Sequence, residues 1–208
     1  MLPLEDYGLI GDLQTAALVG RDGSIDWLCF PRFDSGACFA ALLGDEENGR
    51  WLLEPDCEVD RVERRYSDHT LVHELDFHTA SGVVRVTDFM PPRGNDPDVV
   101  RIVEGLEGEV PMRMDLTIRF DYGSIVPWVQ RRDDGLAAVA GPDGLVLRTP
   151  VPLRGENRHT LASFTVAAGE RVPFTLTWFA SHLDVPRPID PAQALRDTEE
   201  FWRQWAGR

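Results

Sequence analysis

The chain has 208 residues, 43% of them hydrophobic and 27% charged, which suits one large globular domain and excludes disorder, a fibrous class and a multidomain enzyme. Asp and Glu outnumber Arg by 35 to 21, with no Lys, so a formal charge of -14 excludes nucleic acid and acidic membrane surfaces as partners. The N-terminal stretch has no basic leader, and no run approaches the roughly 18 apolar residues of a membrane span, so the compartment reads as cytoplasmic.

From the N-terminus, the segments 15–19 and 24–30 flank Gly20-Arg21-Asp22-Gly23, which predicts a hairpin whose glycines supply positive φ. Pro31 stops ladder pairing, so Arg32, Phe33 and Asp34 are expected in a loop beyond the sheet's end, before a short apolar segment at 38–43. Asp45-Glu46-Glu47-Asn48-Gly49 has no apolar residue to raise a carboxyl pKa and reads as a solvated turn. Period-two alternation dominates from about residue 70. Leu71, His73, Leu75 and Phe77 alternate with Thr70, Val72, Glu74 and Asp76, and Ser81-Gly82 turns the chain into a second strand over 83–90.

Further strands are predicted over 99–106, 112–120, 136–140, 145–149, 161–166 and 172–179, punctuated by Gly108, Asp134-Gly135, Asp143-Gly144 and Gly169. That spacing predicts an all-β fold, a large antiparallel sandwich, with Trp128 in the loop after its most regular strand. Near the C-terminus, Pro186, Pro188 and Pro191 form a stiff linker, and Asp190, Pro191 and Gln193 read as N-cap, first helical residue and capping-box partner. Leu195, Thr198, Phe201, Trp202 and Trp205 then recur at helical spacing as an aromatic stripe, too large to be covered by a sandwich alone.

Few motifs carry chemistry. Cys29, Cys38 and Cys57 lack metal-type spacing and read as small buried hydrophobes, and the five histidines are scattered, so no metal or cofactor is expected. His73 falls on the apolar face of its strand, as a hydrogen-bonded core histidine would. No strand-to-helix phosphate loop and no G-x-S-x-G occurs. The segment from Asp26 to Ser35 is denser: Arg32 and Asp34 lie among Trp27, Phe30 and Phe33, a surface that can hold a sugar by ring stacking and charge-assisted bonds to hydroxyls. The alternative is that Arg32 and Asp34 pair with each other over core aromatics. Trp128 is a second exposed-aromatic candidate.

The runs Asp6-Tyr7-Gly8-Leu9-Ile10-Gly11-Asp12, Asp22-Gly23-Ser24-Ile25-Asp26-Trp27-Leu28-Cys29 and Pro31-Arg32-Phe33-Asp34-Ser35 resemble the start of bacterial trehalase and glucoamylase-like proteins of glycoside hydrolase family 15. The resemblance continues through Arg64-Arg65-Tyr66, Thr87-Asp88-Phe89-Met90-Pro91, Arg119-Phe120-Asp121-Tyr122-Gly123 and Phe201-Trp202, and so covers essentially the whole chain. It implies a supersandwich-type N-terminal domain over 1–185, with 186–208 a linker and helix leading to an (α/α) barrel that this chain does not contain. That barrel would be its partner and would hold both carboxyl groups of inverting hydrolysis, which stand roughly 6.5–9.5 Å apart. No catalytic residue is therefore assigned here.

The leading expectation is a structural domain of an α-glucoside hydrolase, an α,α-trehalase, with Trp27, Arg32, Phe33, Asp34 and Trp128 at a substrate rim or domain interface and Phe201, Trp202 and Trp205 on an interdomain helix. An independent carbohydrate-binding module is the alternative. A mutarotase-like enzyme has only His73 with Glu74 in its favour, and adjacent strand residues point to opposite faces.

Overall fold

The computed structural model describes residues 2–94 and 96–207; Arg208, the end of the expected linker-helix segment, lies outside them. Its strands are β1 (Tyr7–Gly11), β2 (Ala16–Gly20), β3 (Ser24–Cys29), β4 (Ala37–Phe39), β5 (Arg50–Pro55), β6 (Val59–Tyr66), β7 (His73–Thr79), β8 (Gly82–Phe89), β9 (Asp98–Thr117), β10 (Trp128–Arg132), β11 (Gly135–Ala140), β12 (Asp143–Arg148), β13 (Arg154–Glu156), β14 (His159–Ala167) and β15 (Arg171–Ala180). One helix, α1 (Pro191–Ala206), follows them. The named strands pair antiparallel throughout, an all-β sandwich-like fold with a C-terminal helix, as the alternation predicts.

The two layers share β9. Its first half lies between β8 and β15, in the layer ordered β6-β7-β8-β9-β15-β12-β11-β10. Its second half lies between β5 and β14, in the layer of β1-β2-β3-β5 and β13. The expected break at Gly108 is therefore corrected: the segments 99–106 and 112–117 are one 20-residue strand. Gly108 adopts φ 65°, and a Cβ there would collide with the Ser81 carbonyl, so this glycine lets the strand bend from one layer into the other.

Ile25, Leu28, Trp51 and Leu53 from one layer meet Leu75, Phe77, Val84, Leu145, Phe174 and Leu176 from the other in one continuous core. Each such side chain contributes about 1.5–3 kcal/mol on full burial. A second cluster, Val72, Phe89, Val100 and Ile102, lies on the outer face of the β8–β9 layer, where Ile189, Ala194 and Leu195 cover it. Val72 was expected on the solvent side of its strand. The helix makes that side an interior.

Strands β1, β4, β5, β6, β10 and β13 are not predicted from the sequence. β6 reads Val-Asp-Arg-Val-Glu-Arg-Arg-Tyr with no buried residue, and all of β10 is exposed, as edge strands are. Trp128 thus opens a strand instead of lying in a loop. Of the hairpin glycines only Gly23 has positive φ, 83°; Gly20 ends β2. Cys29 and Cys38 are buried but Cys57 is exposed, so it is no core hydrophobe. At α1, Asp190 accepts bonds from the Ala192 and Gln193 amides at 2.9 and 3.3 Å. The Gln193 side chain turns instead to Asp197 and Arg196, so the reciprocal half of the capping box is absent.

Candidate functional site

The loop after β3 is held at both ends by groups far away in the chain. Asp12 accepts the Gln14 and Thr15 amides with one carboxyl oxygen and Arg93 Nε at 2.6 Å with the other. Arg93 also donates to the Pro31 carbonyl at 2.6 Å, and the Phe33 amide donates to the Gln14 carbonyl at 3.1 Å. The Asp12 side chain is fully buried. This Asp12–Arg93 clamp escapes sequence reasoning, because 81 residues separate its members.

Upon that clamp the loop offers Arg32, Phe33 and Asp34 to solvent. Arg32 Nε meets Asp34 Oδ1 at 3.0 Å, with side-chain exposures of 66% and 72%. The two residues therefore pair with each other, as the plainer of the two sequence readings had it, but at the surface. Phe33 is 64% exposed, whereas Phe30 is buried. Trp27 is half-buried over Cys29, Ala37 and Ala40, and its ring stands 6.0 Å from that of Tyr122, tilted by 42°. The Tyr122 amide donates to the Ala37 carbonyl and its hydroxyl reaches the Ser35 carbonyl at 3.5 Å, which joins the 121–123 turn to the loop.

Trp128 is 67% exposed, but its ring pairs with no other aromatic ring among the described residues. It sits on an edge strand of the other layer from β3. The aromatic stripe of α1 lies elsewhere again. Phe201, Trp202 and Trp205 form an edge-to-face ladder with centroids 5.2 and 5.8 Å apart. Trp202 is buried, Phe201 is half-buried and Trp205 is 55% exposed.

A charged network borders the 121–123 turn. His159 Nδ1 lies 2.8 Å from Asp115 Oδ1, its Nε2 lies 3.0 Å from Glu47 Oε1, and Arg119 Nη2 lies 3.2 Å from Glu47 Oε2. A ring with a carboxylate at each nitrogen bonds both only as imidazolium. Burial works to lower the His159 pKa, but the bonds to Asp115 and Glu47 outweigh it and raise the pKa above the usual value. Its bond to His159 holds the Glu47 carboxyl below the ordinary range. The stretch 45–49 is a solvated turn, as read, with Asp45, Glu46 and Glu47 exposed; Asp45 and Asn48 cap its short 3-10 turn, and Glu47 in addition reaches back to the sheet.

His73 is fully buried, and neither ring nitrogen has a hydrogen-bond partner among the described residues, so the expected hydrogen-bonded core histidine is not found. Burial pushes its pKa down, and a Cβ on Gly8 would stand 2.5 Å from the ring. Glu74 points the other way and pairs with Arg65 and Arg85. His73 and Glu74 form no common site. The Arg32 loop thus offers an exposed ion pair flanked by rings.

The family described as "Trehalase-like, N-terminal" matches residues 1–180. A trehalase of Thermoplasma volcanium is 26% identical over 98% of this chain and 34% of its own length. A trehalase of Mycobacterium tuberculosis is 28% identical over the same shares, and Trehalase 1 of Sulfolobus acidocaldarius is 32% identical over 65% of this chain and 23% of its own. The chain thus spans about a third of the length of the first two relatives.

Proposed function

Since this chain belongs to the trehalase-like N-terminal family, we propose that it is the non-catalytic N-terminal part of an inverting α,α-trehalase. The match over residues 1–180 carries this reading. In it, the acid and base belong to an (α/α) barrel in the remainder of the polypeptide, and the sandwich supports that barrel. The loop bearing Arg32, Phe33 and Asp34 lines the substrate rim or the junction between the two parts, with Trp27 as its aromatic flank and Trp128, on β10, as a separate exposed ring of the same rim or junction. Phe201, Trp202 and Trp205 lie on the connecting helix. An α-glucoside would then meet the Arg32 fork, whose five planar donors suit paired hydroxyls. The pair's exposure supports this role, because an ion pair so open to water contributes only about 0–1 kcal/mol to stability.

The experiment is Arg32→Ala and Asp34→Ala in the full-length protein assayed on trehalose, beside thermal unfolding of this chain. A fall in kcat/KM with little change in unfolding supports the rim. Unchanged kinetics with strong destabilisation makes the pair structural. This chain alone is expected not to hydrolyse trehalose or maltose. A carbohydrate-binding module is the second reading, favoured by the exposures of Phe33 and Trp128; trehalose or maltose binding to this chain, lost in Trp128→Ala, would favour it.

A further inference from the structure

One flank of α1, the turn-spaced residues Gln193, Ala194, Asp197 and Phe201, lines a cavity of about 800 Å³. That volume is within the range of small-ligand sites. Its opposite wall is the connection before β9, through Pro91, Pro92 and Asp96, together with Asp98 of β9 and Thr177 of β15; Pro186, Pro188 and Ile189 of the linker close one end. The cavity does not include the Arg32 loop, although Pro92 and Gly94 of its wall flank Arg93, which holds the Pro31 carbonyl. Of the residues placed above at the substrate rim or on the connecting helix, only Phe201 lines it.

Its chemistry is one-sided. Asp98 is 8% exposed and accepts the Thr177 hydroxyl on Oδ1 at 2.5 Å, while no donor among the described residues reaches Oδ2. Asp96 and Asp197 add carboxylates, Asp190 is occupied in capping α1, and Arg187 is the one basic residue among the described lining. A carboxylate held out of water needs an opposite charge or a full set of donors. Arg93 and Arg148 act on Asp98 by charge but donate elsewhere, to Asp12 and Pro31 and to Asp134 and Pro186, so Oδ2 lacks a cationic donor that a ligand cation would supply.

We propose that this cavity binds an organic cation, an ammonium or guanidinium group paired with Asp98, whose apolar stem lies against Pro91, Pro186, Ile189 and Phe201. The stem side follows from the walls, since the four prolines, Ile189 and the Phe201 ring present hydrocarbon that only an apolar body covers. Burial pushes the Asp98 carboxyl up to about 6, and a bound cation reverses that shift. Binding therefore strengthens as pH rises through that value. The charged groups facing Asp98 are Asp96 before it, Arg187 and Asp190 on the linker, Asp197 on α1, and Arg148 and Arg93 on the far side.

The test is NMR titration of this chain at neutral pH with 2-phenylethylammonium, with its neutral isostere 2-phenylethanol, and with acetyl-Phe-Arg-amide. The expected result is that the cations shift the amides of Asp98, Thr177 and Ala194, and that the better of them binds about tenfold or more tightly than the alcohol. Asp98→Asn, which keeps an acceptor for Thr177, should abolish that preference. Phe201→Ala, which leaves the Asp98–Thr177 bond intact, should weaken amine and alcohol alike. Tighter binding of the amine makes the ligand a free small cation, and tighter binding of the dipeptide makes it a basic side chain of a polypeptide. The proposal is overturned by an alcohol that binds as well as either cation, by unchanged preference in Asp98→Asn, or by no shift from either cation at about 10 mM, where even weak contacts register.

Discussion

Replacing Arg101 by Met should be the most damaging single change in the sandwich. Arg101 and Asp88 have no exposed side-chain surface, and they meet at 2.7 Å through Nε and 3.2 Å through Nη2. The same guanidinium donates to the Trp51 carbonyl and the Gly23 carbonyl, each at 2.7 Å, and lies 5.2 Å from the centre of the Trp51 ring. One side chain of β9 therefore ties β8 in one layer to the 20–23 turn and β5 in the other. Met matches the length of Arg and its apolar stem, so packing loss is small. What remains is the Asp88 charge, buried with no partner, and two carbonyls that each lose a donor, of which that of Gly23 keeps the Leu53 amide at 3.1 Å. Breaking a buried pair in this way costs about 3–5 kcal/mol, against a total stability of about 5–15 kcal/mol for a domain. For about 200 residues, at about 2–4 °C per kcal/mol, Tm should fall by roughly 6–20 °C. Urea and thermal unfolding followed by circular dichroism measure the loss in stability and in Tm, with Asp88→Leu and the double variant in parallel. The double variant should be less damaged than Arg101→Met alone, because it removes the stranded charge. A single variant within about 1 kcal/mol of the parent, or a double variant that loses the sum of both singles, would refute the reasoning.

The His159 network makes stability depend on pH. His159 has its folded pKa raised, so its contribution is full below the usual 6.5 and lost as pH rises through the raised value; Glu47, lowered from 4.5, loses its contribution only as pH falls through its own lowered value. Urea midpoints should therefore decline on the alkaline side of that window, and His159→Gln should flatten the decline. Gly108→Ala should cost at least about 1–3 kcal/mol from its positive φ alone, read as a fall in the same midpoint; a change below about 0.5 kcal/mol would mean that β9 does not bend there. Trp128→Ala should change stability by less than about 0.5 kcal/mol, since its exposed ring gives up little on truncation, and calorimetry of this chain checks it.

Sequence by itself determined whatever depends on neighbours a few residues apart. Alternation at 73–77 and 112–117 follows from the pleat, which turns successive side chains to opposite faces. The Asp190 cap and Pro191 at the first helical position follow from the unpaired amides of a helix start, and the Pro31 loop from a missing amide. The motif runs and the family match concern the same local strings. Tertiary structure alone decided everything that joins distant strands. Asp12 meets Arg93 and Glu47 meets His159 across 81 and 112 residues, and a carboxylate in a string of carboxylates carries no local mark of its partner. The same holds for Val72, which alternation assigns to solvent until α1 packs over it. It holds too for Gly108, whose turn-like identity does not distinguish a hairpin from a bulge within a strand shared by two sheets. A residue's chemistry is written in the chain, but the dielectric and the partners that tune it come from segments brought together only when both layers close on β9.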